Sequence, residues 1–226
     1  MPTFLIIDTA LEQAVVALSK DGSIVAELVN KEANSHASFI QVAIGNMMAS
    51  EKCAMEDLDA IVVTLGPGSY TGLRVGLASA KGIAYALQKP LIGLSTLTAL
   101  AQKAVKSLPK ELGQACQVFS MIDARRMEVF GAIYDPLCNP IIQEQAIVLD
   151  EQKWNSLISQ PTICIGNGST KTKSFPTTQE VIYLDAHYTS LELLEMATIQ
   201  FNLAQFEDLA YVGPNYLKEV YILPSK

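Results

Sequence analysis

Asp59-Ala60-Ile61-Val62-Val63-Thr64-Leu65 runs directly into Gly66-Pro67-Gly68-Ser69-Tyr70-Thr71-Gly72-Leu73-Arg74-Val75-Gly76. The first stretch is a continuous apolar run of strand length, the pattern of a strand buried on both faces. The second is a glycine-rich turn that opens a helix, predicted over Thr71–Gln88 and stopped by Pro90. Strand, turn and helix in this order are the unit of an α/β fold, and the neighbouring segments extend it. Upstream, Phe4–Ile7, Ala14–Leu18 and Ile24–Val29 are short β-type runs joined by turn signals, which reads as an antiparallel meander. Ser35–Ser50 has helical period: Ile40, Ile44, Met47 and Met48 share one face, and Phe39, Val42 and Ala43 another. Downstream come a strand at Leu91–Leu94 and a helix over Ser95–Val105, with Ser95 or Thr96 as its cap. The order of this half is β-β-β-α-β-α-β-α.

The second half repeats that order without repeating the residues. Gln117–Ile122 ends at Asp123 as Phe4–Ile7 ends at Asp8. Glu128–Tyr134 and Ile141–Leu149 supply two more strands, Glu151–Ser159 a helix, Thr162–Ile165 and Val181–Leu184 further strands, and Ser190–Phe206 a last helix. The boundary falls in Lys106–Gln114, where Lys, Pro and Gly cluster. This gives an N-terminal lobe of 1–105 and a C-terminal lobe of 106–226, with the tail after about residue 207 placed to return to the first lobe.

Composition excludes several classes. Half of the 226 residues are apolar and 17% are charged, which is too apolar for a disordered chain and enough for a sizeable core. Net charge is −7, and the densest basic groups, Arg125-Arg126 and Lys171-Thr172-Lys173, are short, so the chain alone is a poor nucleic-acid binder. The four cysteines, Cys53, Cys116, Cys138 and Cys164, stand apart in sequence and form neither a disulfide framework nor a zinc motif. The N-terminus lacks the basic region of a signal peptide, and no apolar stretch reaches the ~18–20 residues of a membrane helix. A cytoplasmic protein is expected.

Two places could carry chemistry. The glycine turn, with Gly66, Gly68, Ser69 and Thr71, reads either as a phosphate cradle at a helix N-terminus or as a tight, capped strand-to-helix turn. It lacks the Gly-Lys-[Ser/Thr] of a P-loop and the ribose-binding carboxylate of a dinucleotide site. Asp8-Thr9 ends the first strand, where it could meet Mg²⁺ or phosphate, or could simply cap a hairpin. The only histidines, His36 and His187, make no metal-ligand spacing, so no metal site and no catalytic residue is assigned. The second place is helical. Gly72, Gly76, Ala80 and Ala84 recur every four residues as a small-residue stripe, and the Ser35–Ser50 helix has more apolar surface than one core stripe needs. Either both helices serve the protein's own core, or Phe39, Ile40, Ala43, Ile44, Met47, Gly72, Gly76, Ala80 and Ala84 face another chain.

Taken together, Ile6-Ile7-Asp8-Thr9, Gly66 through Gly76 with Ala80-Lys81-Gly82-Ile83-Ala84, Pro90-Leu91-Ile92-Gly93-Leu94-Ser95-Thr96-Leu97, Asp123-Ala124-Arg125-Arg126-Met127-Glu128-Val129-Phe130 and Gly213-Pro214-Asn215-Tyr216-Leu217-Lys218 resemble the motifs of the TsaB (YeaZ) family. The resemblance implies an actin-like ATPase-domain fold of ribonuclease H-like topology, with two lobes each built on a five-stranded mixed sheet. It implies a non-catalytic subunit that pairs with TsaD, the glycoprotease-like catalyst, and is joined by the ATPase TsaE. The complex places a threonylcarbamoyl group on N6 of adenosine 37 in tRNAs reading ANN codons. Family pairing, with TsaD or with a second copy as a homodimer, uses the first two helices. No tightly bound cofactor is implied for this chain; ATP or ADP and the metal belong to the partner subunit, and tRNA is met only through the complex. A small-molecule kinase of the same fold and a glycoprotease-like enzyme are the competing readings. The first needs a complete phosphate cradle, and the second a histidine pair this sequence lacks.

Overall fold

The computed structural model describes residues 1–32, 36–107 and 116–218. Ser35, the expected helix start, and residues 108–114 of the expected lobe boundary lie outside the described residues. The chain divides into two compact units, one of Met1–Lys103 with His187–Pro214 and one of Ala104–Ala186 with Asn215–Lys226. The boundary expected from sequence at 105/106 thus stands at 103/104, and the last helix lies in the first unit.

In the first unit, β1 (Phe4–Asp8), β2 (Ala14–Lys20), β3 (Ser23–Asn30), β4 (Ala60–Gly66) and β5 (Leu91–Ser95) form one sheet in the order β3-β2-β1-β4-β5. The first three are antiparallel neighbours, and β1, β4 and β5 run parallel. The helices are α1 (His36–Ser50), α2 (Tyr70–Leu87), α3 (Thr96–Lys106) and, after the second unit, α5 (Ser190–Asn202). Alternation along β1 divides the core. Leu5 and Ile7 join Ile40, Ile44, Met47, Leu77 and Ala80 of α1 and α2. Phe4 meets Phe201 of α5 edge-on at 5.4 Å. A strand buried on both faces therefore has no room for a polar residue until its last position, Asp8.

The second unit repeats the arrangement with β6 (Gln117–Asp123), β7 (Glu128–Tyr134), β8 (Pro140–Val148), β9 (Thr162–Ile165) and β10 (Val181–Leu184), ordered β10-β9-β6-β7-β8. Read from β8, this is the order of the first sheet, again with an antiparallel meander and a parallel half. Helix α4 (Glu151–Leu157) is capped by Asp150, which accepts the Lys153 N–H at 2.7 Å, and it carries fully buried Trp154 into a core with Phe119, Val129 and Ile133. Two five-stranded mixed sheets of one topology make this the actin-like ATPase-domain fold.

Element limits differ from expectation mainly at the last helix. It ends at Asn202, not Phe206, because Ala204 turns left-handed (φ 51) and Phe206 folds back onto Phe201 at 5.8 Å. The four cysteines are free thiols, and no described helix is long and apolar enough to cross a membrane. A charge at the centre of the first core should be intolerable. Met47→Asp, at a side chain 1% exposed, is expected to cost more than about 3 kcal/mol, read as the loss of unfolding free energy in urea.

Candidate functional site

The glycine turn is built against the end of β1. Gly66 ends β4 with φ at +108°, and the Ser69 hydroxyl caps α2 by accepting the Gly72 N–H at 3.3 Å. The Ser69 N–H donates to the Ala10 carbonyl at 2.7 Å, and the Thr9 hydroxyl donates to the Gly72 carbonyl at 2.7 Å. A Cβ at Gly68 would collide with the Ala10 carbonyl, at Gly72 with the Thr9 carbonyl, and at Gly76 with the Thr9 hydroxyl. The three glycines therefore let β1 and the loop after it lie directly on the first two turns of α2. The atoms filling that space at Gly68 and Gly72 are carbonyl oxygens, which accept hydrogen bonds and repel a phosphate. Of the two readings of the turn, this geometry matches the capped strand-to-helix turn.

Asp8 sits beside this contact, 6% exposed. Its Oδ1 accepts the Thr64 hydroxyl at 2.7 Å and the Ala10 N–H at 3.0 Å. Buried Tyr188 lies against it, its phenol pushed well above the usual range by burial and by the Asp8 charge. Asp8, Thr9, Gly66, Gly68 and Ser69 thus converge, while Thr71 points to the surface of the first turn of α2. Among the described residues, no group of three His, Cys, Asp or Glu side chains could hold a metal ion.

The helical residues need a correction. Ile40, Ala43, Ile44, Met47, Gly72, Gly76, Ala80 and Ala84 are all buried in the first unit, and Phe39 is half-buried against the same core. The small-residue stripe faces Thr9 and the sheet, because β1 approaches α2 closely there. In the free chain all of these residues but Phe39 are therefore taken up by its own core. The outward faces carry different residues: Gln41, Val42, Gly45, Asn46 and Ala49 on α1, and Arg74, Ala78, Gly82 and Tyr85 on α2. Gln41 reaches Ser79 at 3.2 Å and joins the two faces. Val42 is 62% and Tyr85 79% exposed. Gly45 and Gly82 look onto open space, so neither is required by the protein's own packing. An interior helical glycine costs roughly 1 kcal/mol against alanine. Sequence reasoning passed over Gly45 and took Gly82 only as part of a family motif; the structure separates both from the crowded Gly72 and Gly76.

A second constellation lies in the hairpin between β6 and β7. Arg125 and Arg126 are consecutive left-handed residues, φ 70 and 48, and both are exposed. Asp123 accepts the Arg125 N–H at 2.6 Å and the Lys171 ammonium at 2.5 Å. Lys171 also donates to the Glu128 carbonyl at 2.8 Å, and Lys218 pairs with the Glu128 carboxylate at 2.5 Å. Burial pushes the Asp123 carboxyl up, but the Lys171 ammonium, the Arg125 N–H and both nearby positive charges outweigh it and hold the group below the carboxylate range. Composition exposed the arginine pair, but nothing in the sequence signalled its backbone conformation.

The comparisons fit this architecture. A family model described as TsaD, tRNA N6-adenosine threonylcarbamoyltransferase, matches residues 10–219. The tRNA threonylcarbamoyladenosine biosynthesis protein TsaB of Haemophilus influenzae is 31% identical over 96% of this chain and 93% of its own. That of Escherichia coli is 37% identical over 58% of this chain, an alignment covering 54% of the relative. Among solved structures, YeaZ from Pseudomonas aeruginosa superposes with a TM-score of 0.77 at 26% identity, covering 96% of this chain and all of that one. The fold defines a two-lobed actin-like α/β protein, and the named relatives tie it to the threonylcarbamoyladenosine system. Within that class, the chain belongs to the TsaB (YeaZ) family, and its role lies in tRNA threonylcarbamoyladenosine biosynthesis.

Two measurements check the geometry. Gly72→Ala and Gly68→Ala, which meet backbone, should each lose about 1–3 kcal/mol in urea unfolding, whereas Gly82→Ala, in open space, should gain about 0.5–1 kcal/mol. The Asp123 pairing has a pH sign. Its folded pKa is lowered, so its contribution is present above the unfolded value and is lost as pH falls through the folded one. Asp123→Asn should flatten the fall in melting temperature below about pH 4.

Proposed function

We propose that this chain is a non-catalytic partner subunit that supports a TsaD-type threonylcarbamoyltransferase through the outward faces of α1 and α2. The observation that carries the reading is the pair of interior glycines, Gly45 and Gly82, which sit exposed and uncrowded on adjacent helices beside Val42 and Tyr85. A monomer gains nothing from glycine there. A partner helix approaching closely does, because the missing Cβ atoms let backbones near one another while the two large side chains supply apolar contact. The inward faces of both helices already cover the sheet, so the outward faces are what remains for association.

In this reading the catalyst is the partner. It binds the metal and the ATP or ADP, a TsaE-type ATPase joins the assembly, and the modified base is adenosine 37 of tRNAs reading ANN codons. The same helical surface serves a homodimer when the partner is absent, and the complex works in the cytoplasm. Net charge −7 keeps the free chain off tRNA at physiological salt.

Reconstitution tests this directly. This chain alone should modify no tRNA and hydrolyse no ATP, the transferase alone should be slow, and the mixture should be active; modification by this chain alone would contradict the proposal. Gly45→Trp and Gly82→Trp fill open space, so each should keep the wild-type melting temperature and weaken association with the transferase at least ~10-fold. Unchanged association in both variants would place the interface elsewhere.

A further inference from the structure

We propose that the tip of the β6–β7 hairpin is a contact for the phosphate backbone of tRNA in the assembled complex, with Arg125 and Arg126 as the donors. This rests on the partner-subunit reading above and extends it to what the chain itself does with the RNA.

The first support is conformational. Two successive residues at positive φ call for Asn or Gly, which reach that region with little steric cost, whereas arginine has a Cβ and no local hydrogen bond to offset it. A sequence shaped only to close the hairpin would not carry arginine at both places, so the side chains have a use that outweighs the backbone. The second support is rigidity. Lys171 clamps Asp123 and the Glu128 carbonyl across the base of the hairpin, and the Asn167 side chain accepts the Asp123 N–H at 2.9 Å. Gly168 lies so close to the Ile122 and Asp123 backbone that a Cβ there would touch both. The tip is thus held from below, and its orientation is fixed before any ligand arrives.

The third support is charge. Asp123 and Glu128 are matched by Lys171 and Lys218. The two arginines remain in excess, and Arg126 makes no ion pair or side-chain hydrogen bond among the described residues. A local surplus of positive charge on a chain of net −7 acts only at short range. It suits a contact made after a partner has brought the polyanion near, not recruitment by the free chain. Planar guanidinium groups match phosphate oxygens in pairs of hydrogen bonds, and the polyanion this system acts on is tRNA.

The test uses the complex reconstituted with the TsaD-type transferase and unmodified tRNA, with affinity measured across a salt series. The double variant Arg125→Asn with Arg126→Gly removes both charges and gives the turn residues it accepts easily. Its melting temperature should equal or exceed wild type, its tRNA affinity near ~0.15 M salt should fall about tenfold, and the slope of log affinity against log salt should shrink by about 1.5. Arg126→Gln alone should give about half that slope change, and Arg125→Lys with Arg126→Lys should keep the slope. Unchanged affinity and slope in an intact complex would overturn the proposal. Failure of the double variant to assemble, with its fold intact, would also overturn it and would assign the arginines to an acidic protein surface. If the wild-type chain does not associate with the transferase at all, the reading beneath fails, whatever the arginines do.

Discussion

The close seating of Thr9 and Ala10 on the first two turns of α2 is the constraint on which the first unit depends. It fixes the angle at which α2 leaves β4, and with it the side of α2 that faces inward. Three glycines make it possible: Gly68 and Gly72 by yielding to carbonyl oxygens, Gly76 by yielding to a hydroxyl. The Thr9 hydroxyl and the Ser69 N–H then turn proximity into hydrogen bonds. Once α2 is set, Leu77, Ala80 and Ala84 meet the sheet, α1 packs beside them through Ile40, Ile44 and Met47, and the opposite faces of both helices are left to water or to a partner.

The same constraint explains what could be read beforehand. Strand β4 was legible from its apolar run Ala60–Val63, because a strand covered on both faces has little room for polar side chains; the one it carries, Thr64, is buried and spends its hydroxyl on Asp8. The repeat of order was legible because each meander has its own turn signals, and every strand from Gln117 onward lies within a residue or so of its expected place. The family resemblance held because its motifs fall at positions where the backbone leaves little choice. The glycine turn shows this most clearly.

What was not legible is the direction of the stripe. Gly72, Gly76, Ala80 and Ala84 at four-residue spacing mark a helix face that something approaches closely, and spacing cannot say whether the visitor is another chain or the protein's own β1. Thr9 lies 63 residues before Gly72, and only the fold brings them together. The return of α5 to the first sheet was hidden for a similar reason, since its contacts with Phe4 span most of the chain. The open surroundings of Gly45 and Gly82 were not legible either, because sequence alone does not separate a crowded helical glycine from an uncrowded one.

The division of the two helices into an inward face that builds the core and an outward face that meets a partner is the centre of this account. Hydroxyl-radical footprinting of the chain with and without the TsaD-type transferase tests it most directly, because Val42 and Tyr85 are open to solvent in the free chain. Oxidation of both side chains should fall severalfold when the complex forms, with no change in the buried Met47. Complex formation that leaves Val42 and Tyr85 as reactive as before would contradict it.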